Sequence, residues 1–169
     1  MSIKAQYKRI FGVGPTGMAI TGIIWFVFYF TEKALGIPPI NMSTTFRMIG
    51  LVVLLLDAVY LLGGGIFVLL KNGWGNRLVI EGPFRFIRHP FYSALIYSAT
   101  GSLALWLYSW GLIISAIPLT IFWSWNVIRE ENYMLNKFGN KYRRYMEVTG
   151  QFFPTRKYID RENQHNNTK

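Results

Sequence analysis

Residues 48–70 read MIGLVVLLLDAVYLLGGGIFVLL, a run in which apolar side chains dominate. Asp57 is its only charged side chain, and a helix needs roughly 20 mainly apolar residues to cross a lipid bilayer. Three further apolar runs flank it, at residues 18–31, 92–107 and 112–128. The four runs predict an all-α, polytopic membrane protein with about four transmembrane helices.

The third and fourth runs are separated only by Tyr108-Ser-Trp-Gly111, which carries no charge. A connection this short predicts an antiparallel helical hairpin. Pro118 is expected to kink its second arm, because proline removes a backbone donor from the helix.

The composition agrees with a membrane protein. Hydrophobic residues make up 51% of the 169-residue chain, which excludes a disordered protein. The 18 Lys and Arg against 8 Asp and Glu flank the apolar runs, and this pattern favours a membrane over a nucleic acid as the partner. The absence of cysteine excludes a disulfide scaffold, a thiolate metal site and a cysteine nucleophile, and no metal site is predicted.

The basic residues also predict an orientation. Only Lys33 and Arg47 lie in the first and third connections, whereas the other sixteen basic residues lie in the two ends and the second connection. Basic segments stay in the cytoplasm. We therefore expect a multi-pass protein with both termini cytoplasmic, together with the second connection and the C-terminal segment. That segment is predicted to form a helix, a turn at Gly139 and a second helix, because Leu135, Phe138, Tyr142 and Tyr145 recur at helical spacing.

The second connection contains GPFRFIRHPFY at residues 82–92. Gly82-Pro83 indicates a turn, and Pro90 suits the first turn of a helix. Arg88 and His89 would then lie at a helix N-terminus, where backbone N–H groups attract anions. A basic collar beside the membrane explains the arginines equally well, but not His89 next to Pro90.

Residues 126–131 read NVIREE, where the fourth run leaves the membrane. Glu130 and Glu131 are explained by a solvated helix start, or by binding of a ligand that carries both charges, such as an amino acid with a sulfonium. Asp57 has two interpretations of its own, an ion or proton site and a hydrogen bond between helices.

Taken in order, Arg88-His89-Pro90-x-Tyr92 and Glu130-Glu131-x3-Leu135-x2-Phe138-Gly139-x2-Tyr142-x2-Tyr145 resemble the family of isoprenylcysteine carboxyl methyltransferases and phospholipid methyltransferases. The resemblance covers residues 78–154. It implies an integral membrane enzyme that transfers a methyl group from S-adenosylmethionine to a lipophilic acceptor. The cytoplasmic loop and the C-terminal helices would form the cofactor pocket.

The resemblance implies roles for individual residues. The cofactor-binding set comprises Asn76, Arg77, Leu78, Val79, Gly82, Phe84, Arg88, His89, Pro90, Tyr92 and Glu130. The substrate-binding set comprises Asn126 and Arg129, and the catalytic candidates are Arg129, Glu131 and His89. Arg88 and Glu131 have a second interpretation, in which they hold the loop to the C-terminal segment.

Asn126 stands where prenylcysteine-specific members have an arginine, so the acceptor stays open among a prenylcysteine carboxylate, an aminophospholipid and other hydrophobic molecules. An amine or thiol acceptor would need His89 or Glu131 to remove a proton, whereas a carboxylate would need no base.

Two other functions compete with the methyltransferase. One is an NADPH-dependent membrane reductase of the related sterol reductase type, and the other is a small transporter or scaffold without catalysis. We predict one membrane-embedded domain over residues 1–169, with the N-terminal spans in 1–75, the cofactor-binding core in 76–158 and a polar tail in 159–169. The expected partners are a lipophilic or lipid-modified substrate and membrane lipid, with no nucleic acid.

Overall fold

The structure is a computed structural model that describes residues 14–72 and 77–154. Within these ranges the regular structure is helical, apart from one isolated bridge between Ile87 and Gly150. The predicted all-α class is therefore correct for the part of the chain that the structure describes. The predicted turn at Gly139 is also present, with a backbone φ of 55° between two helices.

The helices follow one another in a simple order. They are α1 (Gly14–Ala34), α2 (Thr44–Val59), a π-helical segment (Tyr60–Gly64), α3 (Gly65–Lys71), a 3-10 turn (Gly82–Arg85), α4 (Pro90–Ser93), a second π-helical segment (Ala94–Ala99), α5 (Thr100–Leu107), α6 (Trp110–Asn126), α7 (Ile128–Phe138) and α8 (Asn140–Val148). The chain divides into two compact units: unit 1 is Met1–Leu51 with Thr100–Tyr133, and unit 2 is Val52–Ala99 with Met134–Lys169.

Unit 1 is organised around Trp123, which is fully buried on α6. Gly17 on α1 makes room for the indole, because a Cβ atom there would lie 2.4 Å from the ring. The Trp123 Nε1–H donates to Thr21 Oγ1 at 3.0 Å, and Trp25 Nε1–H donates to Thr100 Oγ1 at the same distance. Small residues and tryptophan donors therefore pack α1 against α5 and α6.

The predicted helical hairpin is present in unit 1. Its turn is fixed by Ser109, whose hydroxyl caps α6 by accepting from the Leu112 N–H at 3.1 Å. The buried carboxylate of Glu32 accepts from the Ser109 hydroxyl and, at 2.8 Å, from the Gly111 N–H. A carboxylate at a helix N-terminus is favourable because the helix dipole is positive there. This contact ties the end of α1 to the start of α6.

Unit 2 contains the glycine run of the apolar segment. Gly64 lies beside Pro83, and Gly65 lies beside Phe91, each so close that an added Cβ would sit 3.0–3.2 Å from the neighbouring ring. The glycines thus let the loop at residues 82–92 approach the helix, as close packing requires. Asp57 Oδ2 accepts a hydrogen bond from Ser98 Oγ at 2.5 Å. Of its two interpretations, an ion or proton site and a hydrogen bond between helices, the structure shows the hydrogen bond.

Within residues 14–72 and 77–154, two helices, rather than the four we expected, are long and apolar enough to cross a membrane. They are Thr44–Lys71 and Trp110–Phe138, with mean hydropathies of 2.4 and 1.6. Their most apolar windows are only 17% and 33% buried, whereas a core helix of a water-soluble protein would be mostly buried. The segments Gly14–Ala34 and Pro90–Leu107 are helical but contain many Gly, Ser, Thr and Tyr residues, which lower their hydropathy.

Large apolar side chains are exposed along both candidate spans, for example Leu56 at 65%, Ile121 at 67% and Trp125 at 75%. Exposure of this kind on contiguous helix faces indicates contact with lipid. The membrane association that the sequence predicted is supported, whereas the orientation of the termini and the domain boundaries stay predictions. The basic residues near the N-terminus and those after residue 154 lie outside the described residues.

Candidate functional site

The loop of residues 82–92 begins with a turn that only glycine adopts easily. Gly82 has a backbone φ of 57°, and an added Cβ would lie 2.8 Å from Val68 Cγ2. Pro83 follows as a fully buried residue, and its carbonyl accepts from the Phe86 and Ile87 N–H groups at 3.1 Å. Glycine and proline therefore fix the start of the loop against the helix that carries Val68.

The rest of the loop is bonded to the segment that follows α8. Arg88 N–H donates to Gly150 O at 2.8 Å and His89 N–H donates to Gln151 O at 3.0 Å. Ser93 Oγ–H donates to Phe152 O at 2.9 Å. We call residues 149–152, which follow α8, the tail of the site. The contacts between residues 87–93 of the loop and this tail are the loop–tail clasp. It is a short piece of parallel pairing that holds His89 and Pro90 in fixed positions.

The Arg88 side chain belongs to the clasp as well. Its guanidinium donates to Met146 O at 3.1 Å and also to Thr149 O. Both carbonyls lie at the C-terminal end of α8, where a cation is favourable because the helix dipole is negative. In this structure Arg88 therefore holds the loop to the tail, which is one of the two roles that the sequence left open for it.

Aromatic side chains surround the clasp in unit 2. His89 is only 9% exposed, and its ring stacks on Tyr92 with centroids 5.7 Å apart and an interplanar angle of 26°. Phe152 lies 6.1 Å from the His89 ring, and the Tyr145 hydroxyl donates to Phe84 O at 2.6 Å. The loop thus combines the beginning of a helix with several aromatic faces, a combination suited to a ligand with a carboxylate and a flat ring.

Unit 2 therefore contains most of the predicted cofactor-binding residues. It brings Phe84, Arg88, His89, Pro90 and Tyr92 together around the clasp. Further upstream in the same unit, Arg77 is exposed, Leu78 is half-buried and Val79 is buried, and Gly82 forms the turn. Asn76 lies outside the described residues.

The remaining predicted site residues lie in unit 1. Asn126 ends α6, and Arg129, Glu130 and Glu131 lie in the first turn of α7. Arg129 is exposed, Glu130 is half-buried and Glu131 is 8% exposed. The Glu131 N–H donates to Val127 O at 2.9 Å, so the helix continues through the acidic pair. The ligand-binding roles of these four residues stay predictions.

The sequence does not predict the contacts that Phe152, Thr149 and Ser93 make in the loop–tail clasp. The helical spacing of Tyr145 predicts its place on α8 but not the hydrogen bond from its hydroxyl to Phe84 O. The clasp contacts are made through main-chain carbonyls of residues 149–152, so no residue type in the sequence signals them.

The helical fold and its exposed apolar surfaces define a membrane-associated protein. The model of the phospholipid methyltransferase family matches residues 31–141, about two thirds of the chain. The chain belongs to the phospholipid methyltransferase family. This confirms the family suspected from the two motifs and indicates a membrane methyltransferase. No curated protein matches the chain.

Proposed function

We propose that this protein transfers a methyl group from S-adenosylmethionine to a membrane phospholipid, most simply to the amine of an aminophospholipid. The observation that carries the proposal is the family match, because residues 31–141 include both the Arg88-His89-Pro90 loop and the acidic pair Glu130-Glu131. Among the acceptors left open by the sequence, the family favours a phospholipid over a prenylcysteine. When bound, the cofactor would supply an electrophilic methyl group on a sulfonium.

The residues around the clasp suit that cofactor. Pro90 begins a helical segment that continues to Leu107, and the first N–H groups of a helix attract a carboxylate. The stacked rings of His89 and Tyr92 and the half-buried ring of Phe84 offer faces for an adenine or for a sulfonium cation. The Arg88 guanidinium donates to Met146 O and Thr149 O instead, and we propose that it positions the loop.

An amine acceptor must lose a proton before or during methyl transfer, since an ammonium has no lone pair. His89 is the candidate base in the loop, because a neutral imidazole has a ring nitrogen that can accept a proton. Glu131 is the second candidate, and Asn126 and Arg129 are proposed to bind the acceptor. An exposed arginine suits the lipid phosphate, since its guanidinium binds phosphate oxygens in pairs.

The proposal is tested by calorimetry of the purified protein in detergent, with S-adenosylhomocysteine as the probe. We expect saturable binding by the wild type and strongly reduced binding by His89→Ala. The matched control is His165→Ala, which removes the other of the two histidines and should leave binding unchanged.

Two results would contradict the proposal. One is a wild-type protein that binds no S-adenosylhomocysteine under conditions in which it is folded. The other is binding of NADPH without binding of S-adenosylhomocysteine, which would favour the reductase.

A further inference from the structure

A basic surface lies toward the C-terminal end of the described chain, in unit 2. Four exposed cations fall within residues 137–144: Lys137 at the end of α7, and Lys141, Arg143 and Arg144 on α8. We call these four residues the basic patch. Glu147 is the only acidic residue of α8, and it can offset only one of the two arginine charges that precede it by four and three positions. The patch therefore keeps a net positive charge, which suits an anionic partner.

Helix α8 joins the basic patch to the loop–tail clasp. Tyr142 and Tyr145 are buried on its inner side, and the Tyr145 hydroxyl donates to Phe84 O in the loop. The carbonyl of Met146, near the end of α8, accepts from the Arg88 guanidinium. Because the same short helix carries exposed cations and these contacts with the loop, whatever fixes the patch also fixes the clasp.

Helix α8 begins close to the end of a candidate membrane span. The span Trp110–Phe138 ends two residues before Asn140, the first residue of α8. Even in a fully extended chain, Arg143 could lie only about 18 Å from Phe138. The end of a spanning helix lies near the lipid headgroups, so a protein that crosses the membrane through this helix holds the basic patch near them too. Anionic headgroups are therefore within reach of the patch.

An exposed aromatic side chain follows the tail. Phe153 is 58% exposed, and the centroid of its ring lies 4.2 Å from that of Tyr97. Tyr97 belongs to the apolar run at residues 92–107. A surface that combines exposed cations with exposed apolar side chains is typical of elements that lie in the membrane interface. The chain around α8 has both components.

We propose that the basic patch binds the anionic headgroups of the membrane surface, and that this contact holds α8 and the tail in the position that clasps the loop. The predicted cytoplasmic side of the C-terminal segment fits, because the cytoplasmic leaflet carries anionic lipid. This inference does not depend on the proposed methyl transfer, because it concerns the position of α8 and the stability of the clasp.

Fluorescence quenching of the full chain in nanodiscs tests the contact. The chain has no cysteine, so Asn140→Cys places a single fluorophore at the exposed start of α8. The nanodiscs contain phosphatidylcholine with or without phosphatidylglycerol, and both carry the same fraction of lipid with a nitroxide on its headgroup. We expect stronger quenching with phosphatidylglycerol, and loss of the difference at about 1 M salt, where the Debye length is about 3 Å. Equal quenching in both nanodiscs, or a difference that persists at high salt, would overturn the proposal.

Variants of the labelled chain then show whether the patch makes the contact. Arg143→Gln with Arg144→Gln should remove most of the difference, because each basic residue near an anionic surface favours binding about fivefold, or about 25-fold for two. Arg143→Lys with Arg144→Lys should keep it, since the attraction requires charge and not guanidinium geometry. The matched control, Lys33→Gln with Lys71→Gln, removes two exposed cations outside the patch. An unchanged difference in the glutamine pair, or an equal loss in the control, would contradict the assignment. Should the glutamine pair fail to fold, the salt dependence of the labelled chain with an intact patch still decides.

Hydrogen exchange tests whether the membrane contact stabilises the clasp. The Arg88 and His89 N–H groups donate to carbonyls of the tail, so their exchange rates report opening of the clasp. Phosphatidylglycerol should slow their exchange about five- to 25-fold in the wild type, the factor that one or two bound cations supply, and should leave it unchanged in the glutamine pair. The Ile40 N–H, which donates to Tyr108 O in unit 1, is the control and should not respond. Equal exchange of Arg88 and His89 in the two nanodiscs would overturn the link between the membrane and the clasp.

Discussion

Replacing Arg88 tests whether the loop–tail clasp holds the candidate cofactor site together. The guanidinium donates to two carbonyls at the end of α8, and a hydrogen bond to a charged group contributes about 1.5–3 kcal/mol. Arg88 is only half-buried, so water replaces part of what is lost. We therefore expect Arg88→Ala to lower the free energy of unfolding by about 2–3 kcal/mol, which corresponds to a melting temperature lower by roughly 5–10 °C.

The assay is thermal unfolding in detergent, followed by titration with S-adenosylhomocysteine. Arg143→Ala is the matched control, because Arg143 is an exposed arginine on α8 itself. Arg88→Lys separates positioning from direct binding: a lysine keeps the charge but loses the guanidinium geometry, so it should recover less than half of the stability. Equal melting temperatures for Arg88→Ala and Arg143→Ala would refute the positioning role. Full recovery of cofactor affinity by lysine, without recovery of stability, would show that Arg88 binds the cofactor directly.

Three further substitutions test the fold around the site. Tyr145→Phe removes the hydroxyl that donates to Phe84 O and should lower the free energy of unfolding by about 0.5–1.5 kcal/mol in chemical denaturation, with no change if the bond contributes nothing. Gly82→Ala places a Cβ against Val68 at a positive φ and should cost roughly 1–3 kcal/mol, whereas Gly63→Ala, which meets nothing within 4 Å, is the control. Glu32 lies outside the two candidate spans. Its burial raises the pKa, but hydrogen bonds from Ser109 and Gly111 and the nearby Lys33 outweigh it, so the pKa lies below its ordinary value of 4.5. Because the folded state thus favours the carboxylate, its contribution to stability is present above that value and is lost as pH falls through the folded pKa. The melting temperature of the wild type should therefore fall as the pH is lowered, and Glu32→Gln should make this fall smaller. An unchanged dependence of the melting temperature on pH would contradict the role of the Glu32 carboxylate.

Much of the fold could be predicted because apolar runs and their punctuation are local properties of the sequence. The run at residues 48–70 is helical, the hairpin turn falls at Tyr108-Ser109, and Gly139 separates the last two helices. The number of spans was harder to predict. Hydropathy averages cannot show whether a helix rich in Gly, Ser and Thr, such as α1, faces lipid or packs on its neighbours as Gly17 and Thr21 do against Trp123.

The candidate site was predictable in its residue types but not in its contacts. The turn at Gly82-Pro83 and the helix start at Pro90 follow from backbone chemistry that each residue carries with it. The clasp does not, because it joins residues about sixty positions apart through main-chain carbonyls, which any sequence possesses. For the same reason the sequence could not decide whether Arg88 binds a ligand or the end of α8.

The most direct test of the proposed function is transfer of an isotope-labelled methyl group. Purified wild-type protein in liposomes that contain phosphatidylethanolamine is incubated with S-adenosylmethionine labelled in the methyl group, and label is measured in the extracted phospholipid. We predict labelled N-methylated phospholipid from the wild type and from His165→Ala, and little from His89→Ala. A folded wild-type protein that places no label in phospholipid would contradict the proposed acceptor. If it also fails to bind S-adenosylhomocysteine, the result would contradict the methyltransferase itself.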